Sequence, residues 1–245
     1  MAESCGADGQ GVLEIGPGIG VLTAELARRA RKVVALELDR RLLPVLSETL
    51  ADFDNVEIVN EDVLKADLRA ILKERFAGME VSICANLPYY ITSPVIMRLL
   101  EERLPFRSIT VMVQKEAAER LCAPVGSREA GAVTVAVQYY AQAEKLFSVS
   151  RGSFLPAPNV DSAVIRLQIR QAPAVALTDE KKFFRMVKAA FGQRRKTALN
   201  AISAGMALPK GDVAAALEAA GLEGNVRAEK LSMEELAALC EALPG

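Results

Sequence analysis

The sequence has no histidine and no tryptophan among its 245 residues. Without histidine, we exclude Ser-His-Asp and Cys-His nucleophiles, imidazole general bases and histidine-ligated metals. Cysteine is scarce and scattered, with no C-x-x-C pair, so we expect reduced thiols and neither disulfides nor a zinc site. These cysteines are Cys5, Cys84, Cys122 and Cys240. The sequence therefore predicts no metal cofactor.

Long hydrophobic runs are also absent. The longest apolar stretch, GAVTVAVQYYA at 131–141, is much shorter than the ~20 residues that a membrane-spanning helix needs. The opening residues MAESCGADGQ contain neither the basic nor the apolar part of a secretory signal. We therefore expect a cytoplasmic protein without a membrane partner.

Charge of one sign does not dominate, because the formal net charge is −1. A chain that is not basic throughout can bind nucleic acid only through a local patch. Hydrophobic residues make up 51% of the sequence, which is ample for a globular core. At 245 residues, the chain is long enough for one large domain or a domain with an appendage.

Apolar runs alternate with helical patterns in the first half of the chain. The spacing predicts helices over 21–30 and 40–51, where leucines and valines recur on one face. Such alternation indicates βαβ units and a parallel sheet that helices cover on both faces. The predicted strands of this half are 11–15, 32–38, 55–60, 81–85 and 108–113.

The pattern changes after residue 143. Residues 144–150 and 161–170 form two close strands with no helix between them, and the second alternates apolar and polar side chains. These strands predict an antiparallel edge of the sheet. After residue 171 the composition shifts to helix formers, and Ser232 with Glu235 forms a capping box. We expect an α/β domain over 1–171 and a small all-helical domain over 172–245.

A basic stretch lies in the second of these predicted domains. Residues 181–204 contain several lysines and arginines and no acidic residue, whereas 205–245 is rich in acids. Two interpretations of Arg194, Arg195 and Lys196 are open, a solvated helix face or a surface for nucleic-acid phosphates. The absence of nearby acids favours phosphates.

A glycine-rich turn follows the first predicted strand, in the order Glu14-Ile-Gly16-Pro-Gly18-Ile-Gly20. Glycines at such a turn let the backbone approach a ligand. The third glycine comes one residue too early for the dinucleotide fingerprint G-x-G-x-x-G. The turn instead resembles motif one of S-adenosylmethionine-dependent methyltransferases, although a purely structural turn is the alternative.

Acidic residues follow the next two strands. Glu37 lies near the ~20-residue offset at which a carboxylate accepts from both ribose hydroxyls, and its alternative role is a solvated acid. Asp62 follows the third strand and is either a cofactor ligand or the N-cap of a short helix.

The segment Asn86-Leu87-Pro88-Tyr89 ends the fourth predicted strand, where ligands of an open α/β sheet bind. The Asn86 side-chain oxygen and the Leu87 carbonyl can each accept an N–H from an exocyclic amine. Pro88 stiffens the turn, and the Tyr89 ring offers a base about 1–3 kcal/mol of stacking. The alternative is an ordinary Asn-Pro turn, but the position at a strand end favours a substrate site.

Several motifs in order resemble one family, the rRNA adenine dimethyltransferases, and specifically its KsgA/RsmA branch. The resemblance implies a Rossmann-like methyltransferase fold with a mostly parallel seven-stranded sheet and S-adenosyl-L-methionine as cofactor. It also implies dimethylation at N6 of two adjacent adenosines in a hairpin near the 3′ end of 16S rRNA, with the immature small ribosomal subunit as partner. The segments are NLPYYITSPVIMRLL (86–100), VMVQKEAAERL (111–121), GAVTVAVQYYA (131–141), SFLPAPNVDSAVIRL (153–167) and AFGQRRKTALN (190–200).

The resemblance also implies residue roles. Asn86 to Tyr89 would hold the target amine, and Phe154 would cover the other face of a flipped adenine, with core packing as its alternative. Arg194, Arg195 and Lys196 would contact rRNA phosphates. The cofactor would lie on Gly16, Glu37, Asp62 and Asn86, with Glu14, Gly18 and Leu38 nearby.

One departure leaves an alternative function open. Members of this family carry a segment with G-Q-N-F-L before the first strand, and the residues before Gly11 do not resemble it. In the alternative interpretation, this chain lacks the segment and is a non-catalytic assembly factor of the small subunit. An NAD-dependent oxidoreductase is disfavoured by the glycine spacing and by the lack of histidine for hydride-transfer chemistry. With no coiled-coil seam in the sequence, we expect a monomer.

Overall fold

The computed structural model describes residues 1–244, which form two compact units. The sheet unit comprises Met1–Ala118 and Gln142–Ile169. The helical unit comprises Glu119–Ala141 and the described residues from Arg170 onward. This division differs from the expected one, with its boundary after residue 171, because an internal segment belongs with the C-terminal helices.

A seven-stranded sheet organises the first unit, in the order β3-β2-β1-β4-β5-β7-β6. Strands β1 to β5 run parallel, and β7 pairs antiparallel with β5, so the predicted antiparallel edge is confirmed. The strands are β1 (Gly11–Ile15), β2 (Lys32–Leu36), β3 (Val56–Val59), β4 (Val81–Asn86), β5 (Phe106–Gln114), β6 (Ala141–Val149) and β7 (Ser162–Ile169).

Burial explains why these segments form strands. Every residue of β1 is buried, including Glu14, as expected for a central parallel strand covered on both faces. In β7, Ala163, Ile165 and Leu167 are buried whereas Gln168 is exposed, so its period-two pattern reflects one partly solvated face.

The helices of the sheet unit begin at local signals. Asp67 caps α3 by accepting a hydrogen bond from the Ala70 N–H at 2.9 Å. A short 3-10 turn at Ala2–Cys5, which the sequence analysis leaves unassigned, packs its apolar side chains against Val12 and Cys84. The α-helices are α1 (Val21–Ala27), α2 (Leu43–Thr49), α3 (Leu68–Arg75), α4 (Thr92–Glu101) and α5 (Lys115–Leu121), the last of which continues into the helical unit.

The helical unit consists mainly of helices, as predicted for the C-terminal part. The capping box of α10 is confirmed, with Ser232 and Glu235 exchanging hydrogen bonds of 2.8 and 3.1 Å. No helix within residues 1–244 is both long and apolar enough to cross a membrane. The helices are α6 (Ala132–Tyr140), α7 (Glu180–Gly192), α8 (Ala198–Met206), α9 (Lys210–Ala219) and α10 (Met233–Ala242).

Helix α6 is the reason why the internal segment joins this unit. Its residues are buried on most sides, and Tyr139 and Tyr140 both donate hydrogen bonds to Glu180 of α7, at 3.1 and 2.6 Å. The same two rings pack against Phe183 and Phe184, with centroids 5.3–5.9 Å apart. These contacts with α7 place α6 in the helical unit.

Candidate active site

The functional side chains predicted from the sequence follow adjacent strands. In the sheet order β3-β2-β1-β4, the carboxyl ends of these parallel strands meet at one edge. Asp62 comes after β3, Glu37 after β2, Gly16 after β1, and Asn86 is the last residue of β4. This edge is where open α/β sheets bind ligands.

A cavity of about 620 Å³ lies at the glycine turn after β1. It brings together Glu14, Gly16, Gly18 and Asn86, as the sequence predicts. Its other lining residues include Met1, Ala2 and Glu3 of the first turn, Pro17, Ile19, Val21, Leu22, Glu25 and Arg29, together with Met112 of β5. Glu37, Leu38 and Asp62 do not line this cavity and occupy the neighbouring strand ends.

The glycines of this turn have two different functions. Gly16 and Gly18 have φ values of 68° and 60°, and a side chain at either position would meet no atom within 4 Å. They are therefore required by the backbone conformation, and they leave bare backbone facing open space. Gly20 also has a positive φ, of 90°, and a Cβ there would in addition press against Leu46 and Thr49 at 3.3 Å, so that glycine also permits close packing on α2.

Glu14 is a buried carboxyl group that faces this cavity. It is only 1% exposed, and its Oε2 atom has no hydrogen-bond partner among the described residues. Burial raises the pKa of Glu14 to about 7, against a smaller lowering effect of Thr23. A buried carboxylate without a partner is costly, so a cation in the cavity would relieve it. The amino group in the methionine part of S-adenosylmethionine is such a cation, so the buried Glu14 carboxylate fits this cofactor.

The segment after β2 is held by a side chain to which the sequence analysis assigns no role. The Asn60 amide donates to the backbone oxygens of Glu37 and Leu38, at 2.7 and 3.2 Å, and accepts from Arg40 at 3.0 Å. Glu37 is nearly buried, and its Oε1 atom accepts from the Asp39 N–H at 2.7 Å. The apolar Leu38 side chain is 65% exposed beside it. In the sequence, the only indication of this positioning role is that Asn60 directly follows a strand.

Asp62 performs the local capping that the sequence analysis gives as its alternative role, although for a turn and not for a helix. Its Oδ1 atom accepts from the Leu64 N–H at 2.9 Å. Its Oδ2 atom lies 4.0 Å from the Lys65 ammonium, and the side chain is 25% exposed. One carboxylate oxygen therefore shapes the turn, and the other is available to an amino group.

The segment after β4 turns directly into α4. The Pro88 carbonyl accepts from the Ile91 N–H at 3.1 Å and from the Thr92 hydroxyl at 3.3 Å. Leu87 is buried and anchors the segment, whereas the Asn86 side chain is exposed beside Met112 of β5. The turn interpretation is thus correct for the backbone, and it leaves the Asn86 amide open to a ligand.

Aromatic residues occur in this segment and in the loop before β7. The Tyr89 ring is partly buried, and its hydroxyl lies 2.9 Å from the Ser162 hydroxyl. Phe154 follows the 3-10 turn Arg151–Ser153 and is partly buried, which differs from a fully enclosed core phenylalanine. Tyr90 is 83% exposed.

The basic residues Arg194, Arg195 and Lys196 are exposed in the helical unit. They lie in the turn between α7 and α8 and not on a helix face, contrary to one of the two interpretations above. Arg194 donates to the Arg128 backbone oxygen at 2.9 Å, whereas Arg195 and Lys196 make no ion pair within the described chain. Residues 1–244 contain no group of three or more Cys, Asp or Glu side chains arranged to hold a metal ion.

Comparison with known proteins agrees with this geometry. A sequence model described as ribosomal RNA adenine dimethylase matches residues 7–244. A ribosomal RNA small subunit methyltransferase A from Geobacillus thermodenitrificans is 52% identical over 99% of this chain and 85% of its own length. A second protein of that name, from Bacillus licheniformis, is 51% identical over 95% of this chain and 81% of its own length.

Solved structures are also similar. The 23S rRNA methyltransferase ErmE matches with a TM-score of 0.72 and 31% identity over 99% of this chain and 94% of its own. A dimethyladenosine transferase from Plasmodium falciparum matches with a TM-score of 0.78 and 26% identity over 97% and 91% of the two chains. The fold is therefore the Rossmann-like methyltransferase fold predicted from the sequence. Together these matches establish that the chain belongs to the ribosomal RNA adenine dimethylase family of methyltransferases.

Proposed function

We propose that this protein transfers methyl groups from S-adenosyl-L-methionine to N6 of two adjacent adenosines in a hairpin near the 3′ end of 16S rRNA. The observation that carries the proposal is one cavity lined both by the unpartnered Glu14 carboxyl and by Asn86. It combines a site for a cationic cofactor with the start of a segment that can hold an exocyclic amine.

The cofactor, when bound, supplies an electrophilic methyl group on a sulfonium. Glu14 accepts from its ammonium group, and bare backbone at Gly16 and Gly18 permits its close approach. Glu37 accepts from the ribose hydroxyls, and Leu38 gives the adenine an apolar face. Asp62 accepts from the adenine amino group with the oxygen that the local turn does not use.

The target base is held by the segment after β4. The Asn86 side-chain oxygen and the Leu87 carbonyl accept the two amine hydrogens, which turns the nitrogen lone pair out of the ring. The Tyr89 ring stacks on one face of the extruded adenine and Phe154 covers the other, with Pro88 stiffening the segment. The neutral amine attacks the methyl carbon, and the proton of the methylated amine passes to water afterwards, so the reaction needs no histidine base.

Substrate RNA binds in part through the exposed basic turn of the helical unit. Arg194, Arg195 and Lys196 contact phosphates of the immature small subunit, and the protein acts as a monomer. Phosphate contacts position RNA without specifying sequence, so selection of the adenosines depends on the base site.

The test is methyl transfer from labelled S-adenosylmethionine to undermethylated small ribosomal subunits, with nucleosides identified after digestion. We expect N6,N6-dimethyladenosine with the unchanged protein and a loss of at least a hundredfold with Asn86→Ala, because the amine loses an oriented acceptor. Asn225→Ala, at an exposed position of the helical unit, is the matched control and should keep full activity.

Co-sedimentation separates the alternative function from the proposed one. Binding to small subunits without any labelled product, under conditions in which S-adenosylmethionine saturates, would indicate a non-catalytic assembly factor and refute the proposal.

A further inference from the structure

We propose that Asp161, immediately before β7, and Ser162, its first residue, are positioning residues that fix the two aromatic walls of the target-base site, Tyr89 and Phe154. Ser162 would hold the tyrosine, and Asp161 would hold the loop that carries the phenylalanine. The inference rests on the proposed function, because it assumes that these rings enclose the base.

The first contact joins Ser162 to Tyr89. Their hydroxyl oxygens are 2.9 Å apart, and Ser162 is fully buried. A buried hydroxyl needs a hydrogen-bond partner, so this contact is costly to lose. Because β5 lies between β4 and β7 in the sheet, the tyrosine side chain reaches across one strand to make it. The bond therefore restricts the tilt of the Tyr89 ring from a distant part of the sequence.

The second contact joins Asp161 to the loop before Phe154. Its Oδ1 atom accepts from the Arg151 N–H at 3.0 Å, and its backbone oxygen accepts from the Lys115 N–H at 3.0 Å. Arg151 also donates from its guanidinium to the Asn159 backbone oxygen at 3.2 Å. The loop is thus closed at its base and fastened to the end of β5.

The turn that carries Phe154 transmits this anchor. Gly152 N–H donates to the Ser150 hydroxyl at 3.3 Å, and Phe154 N–H donates to the Arg151 backbone oxygen at 3.3 Å. The position of Arg151 therefore determines the position of the Phe154 backbone. Two consecutive residues, Asp161 and Ser162, consequently anchor both walls.

The functional consequence concerns the rate of transfer and not cofactor affinity. Neither residue lies in the cavity lined by Glu14 and Asn86. Misplacement of a reacting group by about 1 Å can reduce the rate about a hundredfold. Loss of one hydrogen bond loosens a wall without removing it, so we expect a reduction of about tenfold in the single-turnover rate.

Single-turnover methylation of undermethylated small subunits tests the Ser162 contact. Tyr89→Phe and Ser162→Ala remove the same hydrogen bond from opposite ends, so each should slow transfer about tenfold and the double variant should be no slower. Ser162→Thr keeps the hydroxyl and should restore most of the rate. The dissociation constant of S-adenosylmethionine should remain within twofold in every variant. Multiplicative effects of the two substitutions, or a rate unchanged by either, would overturn the proposal.

A matched serine controls for general loss of stability. Ser108 is also buried in the sheet, where its hydroxyl lies 3.2 Å from that of Ser82. Ser108→Ala should lower the melting temperature about as much as Ser162→Ala and leave the transfer rate unchanged. Equal slowing by both would assign Ser162 a merely structural role and refute its positioning role.

Hydrogen–deuterium exchange tests the anchors without any turnover. Asp161→Ala should accelerate exchange in peptides covering 151–160, and Asp161→Asn, which keeps an acceptor oxygen, should not. Ser162→Ala should accelerate exchange in peptides covering 87–92. Unchanged exchange in both variants would refute the anchors even in an active enzyme. If the variants show the expected exchange pattern but the unsubstituted protein has no methyltransferase activity, only the proposed function is refuted.

Discussion

Glu14 lies in an unusual environment for a glutamate, because its side chain is almost completely buried. It lies in the fully buried strand β1, and its pKa of about 7 reflects loss of solvent. The glycine motif alone predicts that this glutamate lies near a cofactor. It does not reveal that one carboxyl oxygen lacks a partner, since that depends on what the rest of the fold packs around it.

Cofactor binding should therefore release a proton near neutral pH. The cationic cofactor favours the ionised carboxylate, so its binding lowers the pKa of Glu14 from about 7. We expect affinity for S-adenosylmethionine to rise as pH increases from 6 toward 7 and then to level off. Calorimetry in buffers of different ionisation enthalpy measures the proton release directly.

Glu14→Gln is the corresponding control. It should bind the cofactor more weakly and without proton release, whereas proton release that persists in the variant would assign the titration to another group. In the ligand-free protein, the raised pKa predicts that stability falls as pH rises from 4.5 to about 7, by about 3 kcal/mol in total. That slope should be absent from the unfolding curves of Glu14→Gln.

At the scale of elements, Arg98 connects α4 with the turn that contains Asp62. Its guanidinium donates to the backbone oxygens of Val63 and Ala66, the latter at 2.6 Å, and to Glu102 at 2.5 Å. The sequence gave no reason to single out this arginine, because an isolated basic residue on a helix is usually solvated. Its two backbone acceptors lie more than 30 residues earlier in the chain.

Arg98→Met should weaken cofactor binding several-fold. The substitution keeps the length of the side chain but leaves the Val63 backbone oxygen without its donor, which costs about 1–3 kcal/mol where it is buried. The Ala66 backbone oxygen loses the Arg98 hydrogen bond and keeps the one from the Leu68 N–H. The turn then no longer holds Asp62 in place for the adenine amino group. Equilibrium titration with S-adenosylmethionine and thermal unfolding check the two effects.

Arg107→Met is the matched control for the change in charge. Arg107 is half-exposed and lies 3.8 Å from Glu80, a surface pair that contributes little to stability. Cofactor affinity equal to that of the Arg98 variant would contradict a specific role of Arg98.

The strands were predictable to different degrees. Strands β1, β2 and β4 are continuous apolar runs beside glycines or polar turns, so their burial is evident from the sequence. By contrast, the run 131–141 mixes valines and tyrosines with helix formers, and only its contacts with α7 identify α6 as a helix of the other unit. The partner of Ser162 lies 73 residues away, so no local pattern indicated that contact.

At the scale of the whole molecule, a net charge of −1 conceals an exposed basic turn. Arg195→Ala with Lys196→Ala should weaken binding to small-subunit rRNA. Since each lysine or arginine bound to a phosphate releases counterions, the slope of log affinity against log salt should fall by about 0.7–0.9 for every cation removed from the RNA site. Filter binding at several salt concentrations measures that slope, and cofactor affinity should not change.

Lys210→Ala provides the control in the same unit, because Lys210 is exposed and lies outside the basic turn. Lys210→Ala is compared with Arg195→Ala and Lys196→Ala made separately. If all three substitutions lower the salt slope equally, any surface cation contributes alike, which would contradict a localised RNA site.

The sheet order also determines the sequence of events during synthesis. Strand β7 pairs with β5 and separates it from β6, although β6 leaves the ribosome earlier. A nascent chain that has emerged only through β6 therefore has this strand without its neighbour, while β1 to β5 can already assemble. The strands that carry Glu14 and Asn86 precede β7 along the chain, and Asp161 and Ser162, the proposed anchors of the Phe154 loop and of Tyr89, come later with β7. Premature termination between the two stages would yield a polypeptide that retains Glu14 and Asn86 but lacks the residues that anchor Tyr89 and the Phe154 loop.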